Sequence, residues 1–339
     1  MVEAEAVSFD DRAAPGRVVG MAASAGGVEA IRQVVRALSA DFPAAICVTL
    51  HIPATSRSLL APILDRDSVL HAVAAADGMP LRAGVIYVAP PDRHLLVGRD
   101  AVRLGRGPKE NGTRPAADPM FRSLAEAWGE RAIVVVLSGA LDDGSAGAAA
   151  AAAAGGTVIV QDPLDALVAG MPASAIAADS PERILPVGQV AGVLEDLVRE
   201  PGADPKGGAW MPEPVEPDQE PSRPDGPPAA FTCPECGGAV WELRQGELVR
   251  YRCRVGHSYS EETMVEAQGA SVEAALWTAL EVLEERGELL QRMADRMRGR
   301  ARTEQRLRAG ARDAHQRAAL IRRALMTGGE RVAADEAEA

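Results

Sequence analysis

Three residues could together do acyl chemistry. Ser24 sits in "AASAGG", where Ala22, Ala23, Ala25, Gly26 and Gly27 leave its hydroxyl uncrowded and let backbone amides approach a substrate oxygen. His51 follows the apolar run "AICVTL", and an imidazole there can take a serine proton near neutral pH. Asp142 and Asp143 lie in "VVVLSGALDDGSAG", residues 134–147, where a carboxylate could orient that imidazole. Each has a plainer alternative. Ser24 could cap a helix or cradle a phosphate, a lone histidine is more often structural, and aspartates at a helix start are ordinary caps. His94, in "APPDRHLLV", competes for the base role, with His71 and His315 in weaker contexts.

A second cluster points to metal. Cys233 and Cys236 form C-x2-C, and Cys253 and His257 form C-x3-H after sixteen intervening residues. Three thiolates and an imidazole complete the closed tetrahedral shell of structural zinc, with iron the lesser alternative. All four ligands would come from protein, so the expected role is a scaffold. The stretch between the pairs reads as a hairpin. Cys47, by contrast, lies inside an apolar strand.

The elements that must position these groups are legible as alternating periods. "RVVGM", "AICVTL", "VIYVAP", "AIVVVL" and "TVIVQD" read as strands, several apolar on both faces, and alternate with helical stretches such as 28–38 and 118–128. The fold class expected is α/β, three layers αβα around a mostly parallel sheet, with a small zinc ribbon and a C-terminal helical hairpin. In such sheets ligands bind beyond the carboxyl ends of the strands, where Ser24, His51 and Asp143 fall.

The expected domains are an acidic tail over 1–16, the α/β domain over 17–198, and a Pro/Gly/acidic linker over 199–230. A ribbon over 231–259, amphipathic helices over 260–328 and an acidic tail over 329–339 follow. The helices carry Leu276, Leu280, Leu283, Leu290, Met293 and Met297, then Leu307, Ala311, Ala314, Ala318, Ile321 and Leu325, at helical spacing. They read as a hairpin or as a surface pairing with another chain.

At 339 residues the chain can bury a sizeable core. Its net charge of −12 argues against a general nucleic-acid or membrane-surface role, although "VRYRCRVGH" is locally basic and Arg252 and Arg254 read equally as a solvated face. No window is apolar enough for a membrane span, and the acidic N-terminus lacks signal-peptide order, so a cytoplasmic protein is expected.

The ordered set "SAGG", "LHIP", "VIYVAPPDRHLLV", "GTRPAADPMFRSLA", "LSGALDDGSAG" and "QDPLDALVAGMPASAIA" resembles the catalytic domain of the CheB-type protein-glutamate methylesterases over roughly residues 17–195. The resemblance implies Ser24 as nucleophile, His51 as base and Asp143 as the orienting acid. It also implies oxyanion-binding amides at Ala25 and Ala140, and no cofactor for catalysis. The reaction implied is hydrolysis of glutamate γ-methyl esters on a chemoreceptor-like or other signalling protein, with glutamine deamidation as related chemistry.

The chain departs from the family pattern at several positions. Asp142 stands where asparagine is usual, Ala140 where methionine is usual, and Leu141 and Ala22 where glycine is usual. With 16 residues before the first strand, no receiver domain is expected ahead of it, so regulation would differ. A protein partner or self-association through the C-terminal helices is expected. The rival reading is a non-catalytic scaffold that binds a receptor or partner through the α/β domain and the zinc-helix module. A dinucleotide-binding enzyme fits poorly, because Gly20, Gly26 and Gly27 lack G-x-G-x-x-G spacing.

Overall fold

The computed structural model describes residues 12–178, 181, 183–200, 223–245, 248–297 and 300–338. Most of the expected linker (201–222) and of the N-terminal tail (1–11) lies outside the described residues. The chain divides into one unit ending at Met264 and another beginning at Val265.

The first unit opens with β1 (Val18–Ala23), α1 (Gly27–Arg36), β2 (Ala45–Leu50), α2 (Leu60–Asp67), β3 (His71–Ala74) and β4 (Val85–Val88). A two-stranded hairpin follows, β5 (His94–Val97) with β6 (Val102–Gly105), and then α3 (Ala117–Trp128), β7 (Ala132–Val136) and α4 (Ser145–Ala153). The α/β part closes with β8 (Thr157–Gln161), α5 (Gly170–Ala178), β9 (Arg183–Leu185) and α6 (Val187–Arg199).

Seven strands form one sheet in the order β3-β4-β2-β1-β7-β8-β9, and every pairing is parallel. Strands β1, β2, β4 and β7 are buried along their whole length, because helices cover both faces. One apolar layer joins Val19, Met21 and Ile46 to residues of α1, α2 and α6, such as Ile31, Leu64 and Leu194. The other joins Ala22, Val134 and Val136 to α3, α4 and α5 through Phe121, Leu124, Ala148 and Met171. The three-layer αβα expectation holds. The edge strands β3 and β9 and the β5–β6 hairpin have no counterpart among the expected strands.

Small residues set the close approaches that shape the site. A Cβ on Gly147 would lie 2.6 Å from Phe121 Cβ, so its absence lets α4 settle against α3. The alanine run "SAGAAAAAA" of α4 carries no amphipathic stripe and packs by its small size between α3 and α5.

The ribbon is a four-stranded sheet in the order β10-β11-β12-β13, formed by β10 (Pro228–Thr232), β11 (Ala239–Gln245), β12 (Leu248–Cys253) and β13 (Ser258–Ser260), all antiparallel. It is larger than the single hairpin expected. Helix α7 (Glu261–Arg296) starts directly after it. Ser260 and Thr263 bond each other's backbone amides reciprocally at its first turn, at 3.1 and 2.8 Å.

In the second unit, α7 and α8 (Ala301–Glu338) pack as a hairpin. Leu280, Ala294, Leu307, Ala311, Ala314 and Ala318 are buried between them. Met293, expected on the buried stripe, is exposed and Ala294 takes its place, because the helices approach through small residues. A Cβ on Gly287 would lie 2.4 Å from His315 Nε2. Backbone helix continues to Glu338, past the boundary expected at 328.

Candidate functional site

Strands β1, β2 and β7 are adjacent, and the three sequence-expected residues cluster at their carboxyl ends. Ala23 pairs with Leu50, so Ser24 and His51 are the next positions on neighbouring strands, and the His51 amide donates to the Ala23 carbonyl at 3.2 Å. The Ser24 amide donates to Ser138 O at 2.9 Å, which ties the serine turn to the end of β7. Ser138 Oγ also bonds the Ala25 carbonyl at 2.8 Å.

Ser24 is not a helix cap. The N-cap of α1 is Gly26, at φ 74°, with no side-chain hydrogen bond. A Cβ on Gly139 would come within 2.9 Å of Ser24 Cβ and 2.1 Å of Met171 Sδ, so only glycine fits beside the serine. Ala25 and Ala140, the expected oxyanion positions, are both exposed.

His51 Nε2 lies 2.6 Å from Asp143 Oδ2, which leaves Nδ1 as the ring nitrogen not committed to the carboxylate. Asp143 is buried, with 1% exposure. The same Oδ2 accepts the Ala117 amide at 2.5 Å, while Oδ1 accepts Asn111 Nδ2 at 2.8 Å and the Asp118 amide at 3.2 Å. Burial pushes the Asp143 carboxyl up, but its hydrogen bond and charge interaction with His51, together with the Ala117 and Asn111 donors, outweigh it. The net effect holds the group well below the usual carboxylate range. An anionic partner at the ring nitrogen fixes the imidazole's orientation.

Asp142 does not reach His51. It accepts Ser260 Oγ at 2.8 Å, and burial raises it to about 6. Neither aspartate caps α4, whose N-cap is Gly144. Asp118, at the start of α3, does that work, accepting the amides of Gly144 and Gly147 at 3.1 and 2.7 Å. Leu141 adopts φ 61°, the left-handed conformation that suits the glycine usual there and that costs a branched side chain about 1–2 kcal/mol.

The competing histidines are committed elsewhere. His94 is buried, and its Nε2 donates to Pro108 O at 3.0 Å while Nδ1 accepts the Ala116 amide at 3.3 Å. Burial lowers its basicity, so it sits there as a neutral ring. His71 pairs with Asp65 at 2.7 Å on the edge strand, and His315 packs in the helical hairpin. Cys47 is buried in β2, and burial pushes its thiol far up, away from reactivity.

A cleft of about 380 Å³ opens in front of His51, lined by Ile52, Pro53, Lys109, Thr113 and Arg114. A family model described as CheB methylesterase matches residues 19–194, which contain this cleft and all three strand ends.

The chain belongs to the CheB methylesterase family.

The protein-glutamate methylesterase/protein-glutamine glutaminase 2 of Caulobacter vibrioides is 40% identical over 194 residues, covering 56% of each chain. The enzyme of that name from Anaeromyxobacter dehalogenans is 38% identical over 188 residues, covering 56% of this chain and 55% of its own. The chain thus spans about half the length of the curated relatives it matches. The crystal structure of the Thermotoga maritima CheB methylesterase catalytic domain superposes with a TM-score of 0.52 at 33% identity, covering 54% of this chain and 98% of that one. The parallel sheet with helices on both faces is therefore the CheB catalytic-domain fold, followed here by the ribbon and the helices.

The ribbon brings Cys233, Cys236, Cys253 and His257 together, with all ligand atoms within 4.8 Å of one another. The Cys236–Cys253 sulfurs are 3.7 Å apart, and His257 Nδ1 lies 3.7 Å from Cys233 Sγ and 3.5 Å from Cys253 Sγ. Tetrahedral zinc with arms of about 2.0–2.3 Å would separate its ligand atoms by roughly 3.5–3.8 Å. A disulfide needs about 2.05 Å, so the four residues fit a metal and not a bridge. Left-handed glycines close both knuckles, Gly237 at φ 69° and Gly256 at φ 106°. Arg252 and Arg254 are exposed, as a solvated face would be.

Sequence reasoning missed the residues that hold Asp143. Asn111 directly precedes the "GTRPAAD" stretch and Asp118 closes it, and Asn111 adopts φ 52°, which asparagine tolerates. Arg250, Ser260 and Thr263 come from beyond the family domain, and only the basic run "VRYRC" carried a hint of one of them.

Proposed function

We propose that the protein is a serine esterase acting on glutamate γ-methyl esters of a signalling protein of the chemoreceptor kind. One observation carries the reading: His51 Nε2 is held 2.6 Å from buried Asp143, and His51 and Ser24 directly follow the paired strand ends Leu50 and Ala23.

Ser24 Oγ attacks the ester carbonyl while His51 takes its proton through the nitrogen not bonded to Asp143. The amides of Ala25 and Ala140 receive the oxyanion, each contributing about 3 kcal/mol. His51 returns the proton to the departing methoxide, methanol leaves, and water deprotonated by the same histidine hydrolyses the acyl-serine to glutamate. Glutamine follows the same route with ammonia leaving. No cofactor enters these steps.

Zinc at Cys233, Cys236, Cys253 and His257 would stabilise the ribbon fold, and with four protein ligands it would leave no position for substrate. The helical hairpin, with Val272, Val282 and Leu289 exposed, is our candidate surface for a protein partner or self-association. No described helix is long and apolar enough to cross a membrane.

The test is methanol release from a methylated chemoreceptor cytoplasmic fragment by the full chain and by Ser24→Ala. Release that depends on Ser24 supports the reading. Turnover retained by Ser24→Ala refutes it.

A further inference from the structure

The zinc-ribbon strand reaches the residues that hold the catalytic-type aspartate. Arg250 of β12 is buried, with 8% exposure, and its Nη1 bonds Asp118 Oδ2, whose carboxylate is fully enclosed. Its Nη2 donates to Asn111 Oδ1 at 3.3 Å. Asn111 Nδ2 in turn donates to Asp118 Oδ2 at 3.1 Å and to Asp143 Oδ1 at 2.8 Å. A continuous run of charged and polar contacts therefore links β12 of the ribbon to the carboxylate that orients His51.

We propose that Arg250, brought in by the ribbon, is a positioning residue for the His51–Asp143 pair, so that the ribbon forms part of the catalytic apparatus. The proposal rests on the esterase reading above.

The chemistry of the donors argues for it. Arginine only donates, so Arg250 must face the oxygen of the Asn111 amide, and Thr263 Oγ1 approaches the same oxygen at 3.4 Å. That forces the amide nitrogen toward the two carboxylates. Asp118 meanwhile receives the amides of Gly144 and Gly147 and one bonded cationic partner, and burying a carboxylate is costly unless it is so paired. Without Arg250, Asp118 loses its bonded cation and keeps only the more distant Arg122, already committed to Glu110, while its own amide touches Asp143.

Other charged groups also act here: Arg122 attracts Asp118 from beside Glu110, and Glu262 repels Asp142. Glu110 pairs with Arg122 at 2.6 Å and lies 3.7 Å from Arg250, Asp142 takes Ser260, and His94 is the neutral donor to Pro108. The ribbon is further fixed by Lys109–Glu235 at 2.6 Å and by the Asn111 amide on Ser258 O at 2.8 Å.

The experiment measures the rate of Ser24 phosphonylation by a fluorophosphonate probe across pH, read by intact mass. It compares full-length wild type, Ser24→Ala, Arg250→Met, Arg250→Lys and Arg250→Met/Asp118→Asn, with circular dichroism as the folding control. Arg250→Met should label about tenfold or more slowly, the scale of lost outer-shell support. Its half-maximal pH should rise, because the unpaired carboxylate favours the protonated imidazole. Adding Asp118→Asn should bring that pH back toward wild type, a coupling that a merely structural role would not produce.

Should Arg250→Met not fold, Arg250→Lys carries the test. It keeps the charge but not the fork, so it should keep the half-maximal pH and lose rate. A folded Arg250→Met with wild-type rate and pH profile, or an Arg250→Lys with wild-type rate, overturns the proposal. Wild type left unlabelled at Ser24 overturns the nucleophile reading itself, an outcome distinct from either.

Discussion

Asp142 stands where related domains usually carry asparagine, and replacing it should stabilise the protein in a pH-dependent way. Burial raises its carboxyl from 3.8 to about 6, against a lowering by the Ser260 hydrogen bond at 2.8 Å. A raised folded-state value means the favourable contribution is complete below the unfolded value near 4 and is lost as pH rises through about 6. Two units at about 1.4 kcal/mol each give a ceiling near 3 kcal/mol, and partial exposure reduces this to about 2 kcal/mol. An asparagine at this position would still accept the Ser260 hydroxyl through its amide oxygen and would carry no charge to desolvate.

Asp142→Asn should therefore match wild type at pH 4 and exceed it by about 2 kcal/mol at pH 8, with the difference growing between pH 4 and 6. Urea unfolding at the two pH values, with the m-value held constant, measures this. An equal effect at pH 4 and 8, or destabilisation at pH 8, would refute the reasoning, since burial of a charge could then not be what raises the group.

His51→Gln should lower ester turnover by roughly 10⁴-fold or more with the fold intact, because the amide cannot relay a proton; steady-state kinetics beside circular dichroism check this. Gly139→Ala should abolish turnover and destabilise by about 1–3 kcal/mol, since its Cβ would lie 2.1 Å from Met171 Sδ; thermal unfolding and Ser24 labelling report the two effects. Leu141→Gly should stabilise slightly, by about 0.5 kcal/mol in urea unfolding, relief of the left-handed strain being partly offset by glycine's entropy. Elemental analysis should find about one zinc per chain, lost in Cys233→Ser/Cys253→Ser, with the remaining thiols turning reactive.

The strands carrying Ser24, His51 and Asp143 are readable because a parallel sheet covered on both faces demands uninterrupted apolar runs, and "AICVTL" and "AIVVVL" supply them. Their ends are readable because polar residues interrupt those runs at the edge where ligands bind. Edge strands are short and half-exposed, so β3 and β9 leave little periodic signal. The clustering of Cys233, Cys236, Cys253 and His257 is legible from spacing alone, whereas the buried stripe of α7 differs from its sequence pattern at Met293, because only packing decides which side a helix of evenly spaced apolar residues presents.

The support of Asp143 is the least legible part. Asn111, Asp118 and Arg250 are polar residues whose meaning depends on a contact spanning 132 positions between Asp118 and Arg250. No local window holds both partners.

That separation has a consequence during synthesis. At roughly 5–20 residues per second, the ribosome delivers Arg250 about 7–26 s after Asp118. The last strand of the sheet, β9 at Arg183–Leu185, is made about 3–13 s before Arg250; from then on every strand can pair, yet the joint between the starts of α3 and α4 lacks the guanidinium that bonds Asp118. The nascent chain thus passes through a stage in which the parallel sheet is complete in outline while the support of Asp143 is unfinished; if Arg250 positions the His51–Asp143 pair as proposed, the order of translation itself delays the onset of reactivity.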